Sequence, residues 1–138
     1  MKIAFICTGN TARSQIAEAL AKYYVNKLNK DIKIFSAGSN PAGYINPFAI
    51  KVLEEKNLDI SNQYSKSLEE IPLNEIDLFI TLCDNAKESC PYISDAKYIH
   101  FPLEDPACVK GDYKTKLEAF RKTRDLLDKY IKELLIKL

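Results

Sequence analysis

Two short stretches of this chain carry residue types suited to covalent chemistry on an oxyanion. The first, "CTGNTARS", runs from Cys7 to Ser14. It places a thiol where the apolar run "KIAFI" stops, then five residues that build no core, then Arg13 and Ser14. Between a strand and a helix, the backbone N–H groups of Thr8, Gly9, Asn10, Thr11, Ala12 and Arg13 can turn inward as an anion-binding nest. The helix N-terminus adds positive potential behind them. Gly9 relaxes the steric limits of a tight loop, and Asn10 tolerates a left-handed conformation. The Arg13 guanidinium is a planar fork matched to two oxygens of a tetrahedral anion. The same field favours a thiolate at Cys7, and the Ser14 hydroxyl can donate to it. A buried strand-end cysteine before an ordinary turn is the plain alternative. It gives no reason for an arginine and a serine at this spacing.

The second stretch, "CDNAKESC", ends another apolar run on Cys83 and offers Cys90 seven residues later. Hydrolysis of an ester needs one thiol, because water finishes the reaction. A reduction would use three: a second thiol attacks the Cys7 adduct, and a third carries the resulting disulfide outward. On a regular helix seven residues rise about 10.5 Å, whereas bridged Cα atoms lie within about 7 Å. Cys83 and Cys90 can therefore pair only if the segment between them unwinds. "DNAKES" is short and polar, marginal as a helix, and Pro91 disfavours helical geometry at Cys90. Buried filler is the competing account of both thiols.

Positioning these groups requires strands that end at one edge. "KIAFIC", "IKIFSAG", "IDLFITLC" and "KYIHFPL" read as four strands, nearly continuous in apolar residues as in a sheet covered on both faces. Helical patterns alternate with them, which predicts an α/β three-layer sandwich with a four-stranded parallel sheet. One helix is expected from about Ser14 to Leu28, with Ile16, Leu20 and Tyr23 on one face. A second is expected to start with Asn46 as N-cap and Pro47 at its first position. A third runs from about Tyr113 to the C-terminus, with Leu117, Phe120, Leu127, Ile131, Leu134 and Leu138 as its apolar stripe. In the order 2-1-3-4, strand order reverses between the ends of strands one and three, where such sheets bind ligands. Cys7 and Cys83 end those two strands.

The totals bound the rest. A chain of 138 residues, 46% hydrophobic, suits one domain, residues 1–138, with a core of its own. Its 20 Lys plus Arg against 19 Asp plus Glu give no global field for nucleic acid or an anionic membrane. "MKIAFIC" is too short for a signal peptide, and no apolar run reaches membrane-spanning length. Four cysteines without an export signal are expected in a reducing cytoplasm. With no C-x-x-C pair and His100 as the one histidine, no metal site is expected. His100 reads as a packing or hydrogen-bonding residue, and Cys108 as a spare thiol.

"CTGNTARS" resembles the C-x5-R-S catalytic loop of the low-molecular-weight tyrosine phosphatase fold. "LEDPA" supplies the Asp-Pro acid of that superfamily at Asp105, where a leaving oxygen needs a proton. With Cys83 and Cys90 added, the chain resembles the thioredoxin-coupled arsenate reductases of the same fold. The match covers "FICTGNTARSQIAEA", "FSAG", "NPFAI", "DISN", "ITLCDNAKESCP" and "HFPLEDPA". That resemblance implies Cys7, Cys83 and Cys90 as redox relay, Arg13 and the loop 8–14 as oxyanion binders, and Asp105 as acid. It also implies arsenate or a phosphate-like oxyanion as substrate, thioredoxin as reductant, no cofactor and a monomer. The competing reading is a phosphatase of the same fold working through a Cys7 phosphoenzyme. A non-enzymatic thiol sensor or arsenite binder would leave Arg13 and Asp105 without a task. Some members of the family bind potassium with residues matching Asn10, Glu18 and Ser36 plus a carboxylate. Lys66 stands at that carboxylate position, so its ammonium is expected to replace the ion.

Overall fold

The four strands form one parallel sheet in the order β2-β1-β3-β4, as the alternation of apolar runs predicts. The structure is a computed structural model that describes residues 1–84 and 97–138. Along the chain run β1 (Lys2–Cys7), α1 (Arg13–Lys27), β2 (Lys33–Gly38), α2 (Pro47–Glu54), β3 (Leu78–Thr81), β4 (Lys97–His100) and α3 (Tyr113–Lys137). Short 3₁₀ turns at Leu68–Glu70, Leu73–Glu75 and Pro106–Cys108 complete the described elements.

The pleat splits the strands by alternation. Ile3, Phe5 and Cys7 of β1, with Leu78, Ile80 and Leu82, join a core formed with α1, α2 and α3. Ala4, Ile6, Ala37 and Phe79 face the other way, under Ile71 and Ile76 from the segment of the first two 3₁₀ turns. Central β1 and β3 are buried nearly throughout. β4 is only partly covered, unlike the fully buried strand its apolar run suggests. β3 ends at Thr81 and β4 at His100, short of the expected cysteine and proline, although Leu82 N–H still reaches Ile6 O and Leu103 N–H still reaches Leu82 O.

α1 ends with Asn29 at φ 53° and α2 with Asn57 at φ 60°. In each case the next N–H reaches back five residues, Lys30 to Val25 and Leu58 to Leu53, closing the last turn with a left-handed asparagine. Asn46 caps α2 by accepting the Phe48 N–H, with Pro47 following, as expected. Two stripes differ from the sequence reading. On α1 it is Tyr24 that is buried and bonded to Asp128 at 2.7 Å, while Tyr23 is exposed. On α3 the stripe ends at Leu135, with Leu134 at its margin and Leu138 exposed. It runs through Arg124, whose guanidinium is buried and bonds the Val52 carbonyl and Glu55. Spacing from Leu127 by 3.6-residue turns leads to Ile131 and Leu135 once a charged residue is admitted to the stripe.

Candidate active site

The loop from Cys7 to Arg13 is shaped from behind, by its carbonyls. Cys7 C=O accepts from Ser39 N–H at 3.2 Å and Thr8 C=O from Asn40 N–H at 2.9 Å. Gly9 C=O accepts from Ala42 N–H at 3.0 Å and from Ser65 Oγ at 3.1 Å. Asn10 C=O takes Gln15 Nε2 at 3.2 Å, Thr11 C=O takes Asn46 N–H at 2.9 Å, and Ala12 C=O takes Ile16 N–H at 2.8 Å. All six carbonyls are thus turned outward. A planar trans peptide puts the following N–H on the opposite edge, which is the side of a cavity of about 220 Å³. That cavity is lined by Cys7, Thr8, Gly9, Thr11, Ala12, Arg13 and Asp105. Ala12 is the N-cap of α1 and gives it no side-chain cap, and the first N–H groups of a helix suit an anionic acceptor.

Asn10 adopts the left-handed conformation, φ 52°, as expected. Gly9 is not the tight position of the loop: a Cβ there would meet only Thr11, at 3.6 Å. The demanding glycine is Gly38, at the end of β2 in register with Cys7. A Cβ on Gly38 would lie 2.5 Å from Thr8 O and 3.1 Å from Asn10 N.

Cys7 is buried, and its Sγ lies 2.8 Å from Ser14 Oγ. Asn10 Nδ2 donates to Ser14 Oγ at 2.7 Å and to Ser36 Oγ at 3.1 Å. Asn10 Oδ1 accepts from Lys66 N–H and from Gln15 Nε2, both at 2.9 Å, which fixes the amide's orientation. Gln63 Nε2 in turn holds Gln15 Oε1 at 2.8 Å.

Arg13, 3% exposed, donates from Nη1 to the Leu103 carbonyl at 3.0 Å. Its Nη2 lies 3.8 Å from Asp105 Oδ2. Leu103 is itself tied to the end of β3, its N–H reaching Leu82 O at 3.0 Å. One residue therefore locks the arginine, the sheet edge and the Asp105 segment together. Asp105 caps the 3₁₀ turn behind Pro106 by accepting the Ala107 N–H at 3.0 Å, which leaves its other oxygen directed at Arg13.

Cys83 is fully buried just past β3. The register pairs Ile6 with Thr81, and Leu82 N–H reaches Ile6 O at 2.8 Å. Leu82 is therefore level with Cys7 and Cys83 one residue beyond. Cys90 lies outside the described residues. His100 packs on β3, Nδ1 being 2.6 Å from Thr81 Oγ1, and Cys108 is an exposed thiol in the turn after Asp105. Among the described residues no helix is long and apolar enough to cross a membrane.

The potassium ion implied by the family resemblance does not fit here. Ser36 Oγ donates to Glu18 Oε1 at 2.5 Å, and the Lys66 ammonium stands 3.8 Å from the same oxygen. Lys66 Nζ also donates to Tyr64 O at 3.0 Å and lies 4.6 Å from the centre of the Tyr64 ring. A cation is already supplied by the chain. The sequence reading gives Gly38, Leu103, Gln15 and Gln63 no role of their own, although the first three lie in stretches that carry the resemblance: each acts on the loop through backbone or amide contacts across the fold.

Known proteins resemble this chain in sequence and fold. An arsenate reductase of Bacillus subtilis (strain 168) is 40% identical over 132 residues, 95% of this chain and 92% of that protein. A solved arsenate reductase in the phosphate binding state superposes with a TM-score of 0.81 at 30% identity, covering 99% of this chain and 97% of that one. The thioredoxin-dependent arsenate reductase of Corynebacterium glutamicum superposes with a TM-score of 0.69 at 28% identity, over 99% of this chain and 63% of that one. Residues 2–138 match the low molecular weight phosphotyrosine protein phosphatases, and the chain belongs to that family.

Proposed function

We propose that this chain reduces arsenate to arsenite, using Cys7, Cys83 and Cys90 as a relay and thioredoxin as the external dithiol. The Cys7 thiolate attacks arsenic(V) held by the loop amides and Arg13. An arsenic–oxygen bond breaks, and Asp105 gives the departing hydroxide its proton, so water leaves. The Cys83 thiolate then attacks Cys7 Sγ. A sulfur–sulfur bond forms, the sulfur–arsenic electron pair stays on arsenic, and arsenite departs as arsenic(III). Cys90 displaces Cys7 from Cys83, restoring the nucleophile and leaving a Cys83–Cys90 disulfide. The two thiols of thioredoxin reduce it by the same exchange.

The observation that carries this reading is the register of β1 on β3. One residue of offset between strands about 4.8 Å apart separates the Cα atoms of Cys7 and Cys83 by about 6 Å, within the span a disulfide needs. The homology to arsenate reductases, one of them thioredoxin-dependent, supports the same choice. The cradle also suits a phosphate monoester, since the family is one of phosphatases. Hydrolysis through a Cys7 phosphoenzyme is therefore the second reading.

A single turnover separates the two. Fully reduced protein is mixed with arsenate and no reductant, and its thiols are mapped. Arsenite released in step with a Cys83–Cys90 bond, and abolished by Cys83→Ser, is the expected result. Four free thiols alongside steady hydrolysis of an aryl phosphate would replace reduction by hydrolysis.

A further inference from the structure

The oxyanion loop is tied at its rear to a buried ion pair that the steps above do not use. Glu18 on α1 and Lys66 in the segment after α2 are 4% and 9% exposed. From Glu18 a chain of hydrogen bonds leads to the nucleophile, and its directions can be assigned. A carboxylate only accepts, so the 2.5 Å contact has Ser36 donating to Glu18 Oε1. The Ser36 oxygen is then the acceptor for Asn10 Nδ2 at 3.1 Å. Asn10 cannot flip, because its Oδ1 already receives two donors. Its remaining Nδ2 proton goes to Ser14 Oγ at 2.7 Å. Ser14, an acceptor on that side, has its single proton left for Cys7 Sγ at 2.8 Å.

The far end of this chain poses a charge problem. A lone buried carboxylate is costly and would oppose a thiolate at Cys7. Lys66 stands at 3.8 Å from Glu18 Oε1 to cancel it. Lys22 meets the other carboxylate oxygen at 2.5 Å but is half exposed, so water weakens its share. Burial pulls the Lys66 ammonium below the usual lysine range; Glu18 opposes that fall, Lys22 adds to it, and Glu70 on the following turn opposes it.

We propose that Lys66 is a positioning residue for the Cys7 chemistry. Its ammonium is the built-in counter-ion that allows a buried Glu18 carboxylate to end the chain directing the Ser14 proton onto Cys7. It stands in place of the potassium ion implied for some relatives. The assignment rests on Cys7 being the nucleophile, and not on arsenate being the substrate.

The test is the rate of Cys7 alkylation by iodoacetamide, followed on the Cys7 peptide by mass spectrometry, in the reduced full chain between pH 5 and 9. Lys66→Met should slow alkylation at neutral pH about tenfold. Lys66→Arg should keep most of the rate. Adding Glu18→Gln to Lys66→Met should recover most of the lost rate, since the amide oxygen still accepts from Ser36 without a charge to balance. Wild-type alkylation by Lys66→Met at every pH would overturn the proposal, as would a double variant no faster than the single one. If Lys66→Met does not fold, the charge-free double variant decides. A rate near that of wild type supports the counter-ion role, and a tenfold loss refutes it. Because alkylation needs no arsenate, a protein that fails to reduce arsenate while its variants follow this pattern would refute the reductase reading alone.

Discussion

Replacing Gly38 by alanine adds one methyl group at the most crowded point behind the oxyanion loop. The new Cβ would sit 2.5 Å from Thr8 O, where carbon and oxygen ordinarily stay about 3.3 Å apart. The shortfall is about 0.8 Å, and neither side yields easily. β2 is locked to β1 in the register that pairs Gly38 with Cys7, and Gly38 N–H is bonded to Lys66 O at 2.9 Å. Thr8 O is held by Asn40 N–H, also at 2.9 Å. Because the Gly38 backbone lies outside the left-handed region, the penalty is steric alone.

Overpacking of this kind costs about 1–3 kcal/mol. A displacement approaching 1 Å in a loop whose amides bind the reacting group costs about 100-fold in rate. Gly38→Ala should therefore lower kcat/KM for arsenate, and for an aryl phosphate, about 100-fold while unfolding a few degrees below wild type. Steady-state kinetics and thermal unfolding give the two numbers. Wild-type kcat/KM with wild-type stability would refute the packing account. Lost stability with intact kcat/KM would show that the strand, not the loop, absorbs the methyl group.

Other perturbations test separate links. Ser14→Ala removes the hydroxyl 2.8 Å from Cys7 Sγ; a hydrogen bond to a charged group contributes about 1.5–3 kcal/mol, so Cys7 alkylation at pH 7 should fall about 10- to 100-fold. An unchanged rate would mean that the serine only packs. Glu55, beside Arg121 and Arg124, has its pKa lowered to about 2, chiefly by the Arg121 hydrogen bond and against desolvation. Such a carboxylate stabilises the fold above its unfolded value near 4.5 and loses that contribution as pH falls towards 2. Glu55→Gln should cost about 1 kcal/mol at pH 7, allowing for solvent screening, with the difference shrinking as pH falls through about 2. A denaturation difference that does not shrink with acid would refute the pairing. With Lys66 as internal cation, turnover should be equal in sodium and potassium buffers of matched ionic strength, and a potassium-specific gain would contradict it.

What the sequence disclosed about this molecule is local, and what it withheld is long-range. Strand identities follow from apolar runs, and the Asn46–Pro47 helix start follows from capping chemistry. Asn10 in a left-handed turn and Ser14 beside Cys7 were legible because the interacting groups lie within one loop. Gly38 acts on Thr8 across thirty positions, and Leu103 on Arg13 across ninety, through a hydrogen atom and a carbonyl that no side-chain pattern advertises. Tyr23 and Tyr24 are adjacent, so helical spacing alone does not choose between them; the partner Asp128 on α3 does. Arg124 interrupts the apolar stripe of α3 for a pattern reader, yet it is buried because Val52 and Glu55 satisfy its guanidinium.

The division of labour behind the site bears on how one fold can host two chemistries. The loop's shape is set by donors from residues 39–46, by Ser65 and by Gln15, none of which can exchange electrons. On the proposed function, a cradle held this way serves a tetrahedral anion whether it carries arsenic or phosphorus. On the proposed relay, the choice between water and a thiol as second nucleophile arises outside the cradle, at the neighbouring strand end. There Cys83 follows Leu82, whose N–H and C=O are taken up by Ile6 and Leu103. Those two bonds hold Cys83 one residue beyond the level of Cys7 without involving its sulfur. A reductase can therefore be built on a phosphatase frame by changing side chains beyond β3 while the backbone that binds the oxyanion stays as it was.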